Sequence, residues 1–144
     1  LKPLLLVMAM SIGSWALPAA ACSIVIPDDE LDQHTTAAYF KKANDVVLAR
    51  LERMSPGAKE GWRKASFSSL RRFKGQPMTD FDLDLGADIG CGPDFTEGGQ
   101  YVLFLEAASN GTQRISMGTR GPMEPGSDSI ESYLRELNAL SKKR

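Results

Sequence analysis

A mainly-β domain, a small antiparallel barrel flanked by helices, is what this sequence predicts. Three observations lead there. Several short runs carry strand-like alternation of apolar and polar residues. Turn-forming Gly, Pro and Asn residues separate them. The last segment then changes to helical spacing. The 144 residues suffice for about one domain. With 42% apolar and 24% charged residues, the composition is that of an ordinary folded protein and excludes a wholly disordered chain. Lys plus Arg total 17 against 18 for Asp plus Glu, so the net charge is -1. A nucleic-acid binder draws its affinity from phosphate contacts and normally carries a basic excess, which is missing. One His and two Cys leave little for an intrinsic zinc site, so no resident metal or cofactor is expected.

Residues 1–21 are expected to be a signal peptide and no part of the fold. Lys2 precedes an apolar run from Leu4 to Trp15, and Ala19-Ala20-Ala21 closes the segment with small residues. The run is shorter than the ~20 apolar residues of a membrane span. Cleavage after Ala21 makes Cys22 the first residue of a secreted or periplasmic chain. Loss of Lys2 takes the net charge to -2. Two chemistries compete at this junction. Ordinary signal peptidase leaves a free Cys22 amine. A small residue directly before Cys is also a lipobox feature, which would make the chain an envelope-anchored lipoprotein with an acylated amine. Cys22 and Cys91 are the only thiols. In an oxidising compartment an even count suggests a disulfide, worth roughly 4 kcal/mol in the chain-entropy model. Lipidation of the Cys22 sulfur would preclude that bond.

Along the mature chain, residues 35–43 (TTAAYFKKA) read as a short helix and residues 45–52 (DVVLARLE) as a strand. Residues 62–73 alternate as a long strand, with Ala65, Phe67, Ser69, Arg71 and Phe73 on one face. Residues 81–85 (FDLDL) put Phe81, Leu83 and Leu85 inward. Residues 86–99 form a loop carrying Cys91. Residues 100–106 (QYVLFLE) are almost continuously apolar, which predicts a central strand. Asn110-Gly111 signals a tight hairpin turn. Residues 113–117 read as a last strand and 118–126 as irregular. Ile130, Tyr133, Leu134, Leu137 and Leu140 then recur at helical spacing, with Asp128 and Glu131 placed for a capping box. Residues 127–144 therefore form an amphipathic helix that docks on the domain of residues 22–126. Five short strands of this size suit an OB-like barrel.

The order of short motifs resembles the netrin-like (NTR) module. It is closest to the inhibitory domain of the tissue inhibitors of metalloproteinases (TIMPs). The matching segments are Cys22-Ser23, Ala43-Asn44-Asp45-Val46-Val47-Leu48-Ala49-Arg50, Arg72-Phe73-Lys74-Gly75, Cys91-Gly92 and Gly98-Gly99-Gln100-Tyr101-Val102-Leu103. They span residues 22–117. The resemblance implies an OB-like barrel and a Cys22–Cys91 disulfide. It also implies a function: the Cys22 amine and carbonyl chelate the catalytic zinc of an extracellular metalloproteinase. Ser23 would then enter the specificity pocket, and Ala87, Asp88, Ile89 and Gly90 would form the adjoining ridge. Ile24 stands where TIMPs have a second Cys, and the other family disulfides are missing. The alternative is a non-inhibitory NTR/OB module that binds another protein.

Other signals have plainer accounts. Asp80, Asp82 and Asp84 mimic the start of a calcium loop, but Gly86 is one position late and Cys91 replaces the closing Glu. They read as the wet face of a strand. His34 is isolated and reads as structural. Arg71, Arg72 and Lys74 form a small basic cluster. Asn110-Gly111-Thr112 fits a glycosylation sequon but serves first as a turn. No phosphate loop or nucleophile elbow occurs, so no catalytic residue and no enzyme activity are expected.

Overall fold

The computed structural model describes residues 26–86 and 93–143. A 3-10 helix over Asp28–His34 leads into α1 (Thr36–Lys42). Strands β1 (Asp45–Pro56), β2 (Arg63–Lys74), β3 (Asp80–Leu85), β4 (Gln100–Ala107), β5 (Gln113–Ile115) and β6 (Arg120–Met123) follow, and α2 (Asp128–Lys142) ends the chain. The sheet is antiparallel, in the order β3-β2-β1-β4-β5, with β6 also on β4. Among the described residues it has six strands where five were expected, and its hydrogen-bonded path is open at β3 and β5 rather than closed into a barrel. None of the described helices is long and apolar enough to cross a membrane.

The added strand comes from the stretch read as irregular. Both β5 and β6 run along the same edge of β4, separated by a short turn. There Ser116 N donates to Phe104 O at 2.8 Å, and Phe104 N donates to the buried Thr119 hydroxyl at 3.0 Å. A side-chain oxygen thus replaces one backbone partner. Gly118 sits so close that an added Cβ would meet the Phe104 ring at 2.9 Å and Tyr39 Cβ at 2.8 Å. Gly118, Gly121 and Pro122 read as breakers in the sequence, yet the edge of β4 still recruits this segment.

Strand β4 is buried on both faces. Alternation sends Tyr101, Leu103 and Leu105 into one apolar layer with Leu51, Phe67, Leu83 and Leu85. Val102 and Phe104 enter a second layer with Phe40, Phe73, Tyr133 and Leu137. The continuous apolar run thus belongs to a strand between two layers, as its sequence predicts. In β3, Leu83 and Leu85 are buried and Phe81 packs beside them, again as expected.

The reading of β2 as one regular face needs correction. Phe67 lies in the first layer and Phe73 in the second. The pairing with β1 slips between Val46 and Val47, between Leu48 and Ala49, and between Leu51 and Arg53. Each slip sets two residues against one and reverses the alternation locally while increasing twist. Leu70 falls at one of them and stays 43% exposed. Such bulges leave no mark in an alternating pattern.

The C-terminal helix docks as its spacing predicts, with Tyr133 and Leu137 buried and Leu134 and Leu140 packed beside them. Its expected capping box does not form. Ser127 is the N-cap residue, without a side-chain cap bond, and Asp128 is already inside the helix. The two acids still face the positive helix end. The turn at Asn110-Gly111 is wider than the two-residue form expected. Ala108 N donates to Thr112 O at 2.7 Å, and Asn110 Oδ1 accepts from Thr112 N and Oγ1. Gly111 takes φ +81°, open to glycine.

Leu137→Ala should destabilise the protein by about 2–5 kcal/mol, because it empties a fully buried site in the second layer. Leu31→Ala, at a residue 51% exposed, should stay within about 0.5 kcal/mol of the parent. Urea unfolding followed by circular dichroism reads both.

Candidate functional site

The residues assigned to the inhibitory site, Cys22, Ser23, Ala87, Asp88, Ile89, Gly90 and Cys91, lie outside the described residues, and the predicted Cys22–Cys91 bond with them. What can be built from the residues upward is the scaffold on either side. The family-like motifs within the described residues fall into two clusters.

The first cluster is a polar corner at the start of β1. Asn44 N donates to Leu105 O at 2.8 Å, and Asn44 Oδ1 accepts from Ala107 N at 2.8 Å. Asp45, 8% exposed, accepts from Gln76 N through Oδ1 and from Gln113 Nε2 through Oδ2, at 3.0 and 2.8 Å. One carboxylate therefore ties β1 to the end of β2 and to β5. Gly75 is required here twice over. Its φ is +92°, and a Cβ would collide with the Asp45 carboxylate. Lys74 Nζ donates to the Phe40 and Lys41 carbonyls at 2.7 and 2.9 Å, at the end of α1. A cation suits the negative end of a helix. Asn44-Asp45 and Lys74-Gly75, separate in sequence, are thus two halves of one joint.

The second cluster holds the chain that follows Cys91. Tyr101 is wholly buried, yet its hydroxyl accepts from Thr96 N at 2.7 Å and donates to Asp94 O at 2.9 Å. Phe95 packs 4.8 Å from the Tyr101 ring. Gly98 N donates to Leu51 O and Leu51 N donates to Gly99 O, at 2.7 and 2.9 Å. A Cβ on Gly99 would meet the Tyr101 hydroxyl at 2.8 Å. On the other flank, Leu85 is 2% exposed and Gly86 lies against the Trp62 ring. The two ends of the segment carrying Cys91 are therefore anchored in the first apolar layer.

Other candidate residues resolve into structural roles. The lone His34 places Nδ1 2.7 Å from the Tyr39 hydroxyl, joining the 3-10 helix to α1. Arg71, Arg72 and Lys74 do not act as one patch. Arg71 donates to Asn138 Oδ1 of α2, Arg72 donates to Gly75 O, and Lys74 is spent on α1. Asp80, Asp82 and Asp84 line the exposed side of β3. Asp82 pairs with Lys64 at 2.9 Å and accepts from Ser66 Oγ at 2.7 Å. Hydrogen bonds from Lys64 first and Ser66 second hold its carboxyl below the ordinary 3.8. The hydrogen bond to Asp82 in turn raises Lys64 above 10.5. Among the described residues no group of three or more His, Cys, Asp or Glu side chains could share a metal ion. Tyr133 has a buried hydroxyl without a hydrogen-bond partner among the described residues, and burial pushes its phenol up to about 12.

One concave feature has no counterpart in the sequence reading. A cleft of about 450 Å³ opens where β3 and β5 face each other across the open edge of the sheet. It is lined by Lys59 and Trp62 before β2, Asp84 and Gly86 of the β3 end, and Asn110 and Thr112 to Ile115 of the β5 hairpin. These read separately as loop, strand start and turn. Trp62, read in the sequence only as the start of a strand, is 37% exposed.

Set against known proteins, the chain matches no protein-family model and no curated protein.

Two outcomes follow. Tyr101→Phe should cost about 1–3 kcal/mol, since it leaves the Thr96 amide and Asp94 carbonyl without their buried partner. Amide hydrogen exchange at Thr96 should accelerate with it. In an NMR pH titration, Asp82 should show a midpoint below 3.8, and Lys64→Met should bring it back up. The Asp82 contribution to folding is present above the ordinary carboxyl range and is lost as pH falls through the lowered value. The Lys64 contribution is lost at the other extreme, as pH rises through its raised value.

Proposed function

We propose that the mature chain is an exported NTR-type domain with an OB-like barrel, acting as a TIMP-like inhibitor of a zinc metalloproteinase. In this reading the Cys22 α-amine and carbonyl oxygen occupy the open position of the protease zinc and displace the attacking water. Ser23 enters the adjoining pocket. Ala87, Asp88, Ile89 and Gly90 form the ridge beside it, with Cys91 bonded to Cys22. The observation that carries the reading is the anchoring of both flanks of that ridge. Leu85 and Gly86 are held by β2 and Trp62, and Asp94 to Thr96 by the Tyr101 hydroxyl. A ridge mounted on fixed ends loses less entropy on binding. The approach of β3 and β5, within 8 Å between Cα atoms, is consistent with a sheet curled toward a barrel.

The chelating amine must be unprotonated, so inhibition should strengthen as pH rises through about 7.7–8.0, the range of an ordinary α-amine. A small residue, Ala21, directly before Cys22 favours a second reading, an envelope-anchored interaction module whose acylated amine cannot chelate.

The test is the intact mass of the exported protein, then inhibition of a purified zinc metalloproteinase. Residues 22–144 less two hydrogens, with inhibition abolished by acetylating the amine or by Cys22→Ala, is the expected result. Inhibition that survives both changes overturns chelation. A lipid-bearing mass selects the anchored module.

A further inference from the structure

The cleft between β3 and β5 does not involve Cys22, although its Trp62–Gly86 contact also flanks the segment proposed as the ridge, and its chemistry is specific enough to name a ligand class. Its lining includes an aromatic ring. The Trp62 indole is 37% exposed, and Lys59 Nζ stands 5.0 Å from the ring centroid. Gly86 borders the same ring. A Cβ there would rest on the indole at 3.4–3.6 Å. Gly86 is not among the positive-φ glycines, so backbone conformation does not demand a glycine at this position. Its effect is spatial, since any side chain at 86 would cover the aromatic surface.

The rim mixes charges and amides. Asp84 offers a carboxylate, Lys59 and Arg114 offer cations, and Asn110 and Gln113 offer amides. Several of these are held in place. Gln113 Nε2 donates to Asp45, Asn110 Oδ1 accepts from Thr112, and Arg114 sits 3.3 Å from Glu106. The volume, about 450 Å³, falls within the ~300–1,000 Å³ of small-molecule sites.

The mixture excludes several ligand classes. A simple anion is opposed by Asp84, and a simple cation by Lys59 and Arg114. A wholly apolar ligand would strip water from these groups and return no hydrogen bond. An added peptide strand needs about 4.8 Å on each side. Where the facing strands come closest, within 8 Å between Cα atoms, a strand paired to both does not fit. A neutral sugar ring satisfies all the terms. Its C–H face packs on an indole, and each hydroxyl both donates and accepts, which suits a rim of carboxylate, cations and amides.

We propose that this cleft binds a neutral saccharide, with a pyranose ring stacked on Trp62 beside Gly86 and its hydroxyls on Asp84, Arg114 and the Asn110–Gln113 amides.

The full chain carrying Trp15→Phe has Trp62 as its sole indole, so its fluorescence reports on the cleft alone. It should be titrated with cellotetraose, chitotetraose and maltotetraose, with sodium acetate and sodium phosphate as controls. At least one saccharide should give a saturable shift in emission that the salts do not. Gly86→Leu should abolish it while circular dichroism stays native. Asp84→Ala and Arg114→Ala should each weaken it about tenfold, the size of one charge-assisted hydrogen bond. These two surface changes decide the matter if Gly86→Leu fails to fold. No saturable response to any of the three sugars, an equal response to acetate or phosphate, or affinity unchanged in both polar variants would overturn the proposal.

Discussion

Five consecutive residues of β4, 101–105, are fully shielded from solvent, and the rest of the molecule is arranged around that burial. A strand that is apolar on both faces cannot sit at a surface. It needs a neighbour on each edge and a layer over each face. Strand β1 supplies one edge, and β5 with β6 shares the other. Side chains of β1, β2 and β3 cover one face, and α1 and α2 cover the opposite one. Burial of this kind stabilises by about 25 cal/mol per Å² of apolar surface. It also explains why α2 docks although its N-cap makes no side-chain bond.

Polar groups then fix what apolar burial leaves loose. Hydrophobic packing is non-directional and would tolerate sliding between strands. Asp45 opposes that, because one buried carboxylate must satisfy donors from two other segments at once. An unpaired buried carboxylate would be costly, so the three pieces assemble together. Tyr101 does the same at the far end of the sheet, where its hydroxyl spans an amide and a carbonyl of the loop. Glycines accompany each joint because the partner atoms occupy the space a Cβ would need.

The motifs that lie within the described residues build joints in the scaffold. The cleft at the open edge is different in kind. It is assembled from three segments distant in the chain, and it lies where β3 and β5 end the hydrogen-bonded path among the described residues. Edges of this type are commonly protected by charge, and the aspartates of β3 serve that purpose here.

Much of this was legible in the sequence, and for a physical reason. Strand alternation in 81–85, the apolar run of 100–106 and the helical stripe from Tyr133 to Leu140 are local periodicities. They reflect the geometry of one element against one or two apolar layers. The sequence alone therefore determined the mainly-β class, the central strand and the docking helix. Tertiary structure decided the rest. The bulges that send Phe67 and Phe73 to opposite layers arise from pairing with β1. Strand β6 exists because the edge of β4 recruits a Gly- and Pro-containing segment. The cleft needs Trp62, Asp84 and Arg114 side by side. Each of these depends on which residues meet across the fold, and that is a property of the folded chain rather than of any local run of residues.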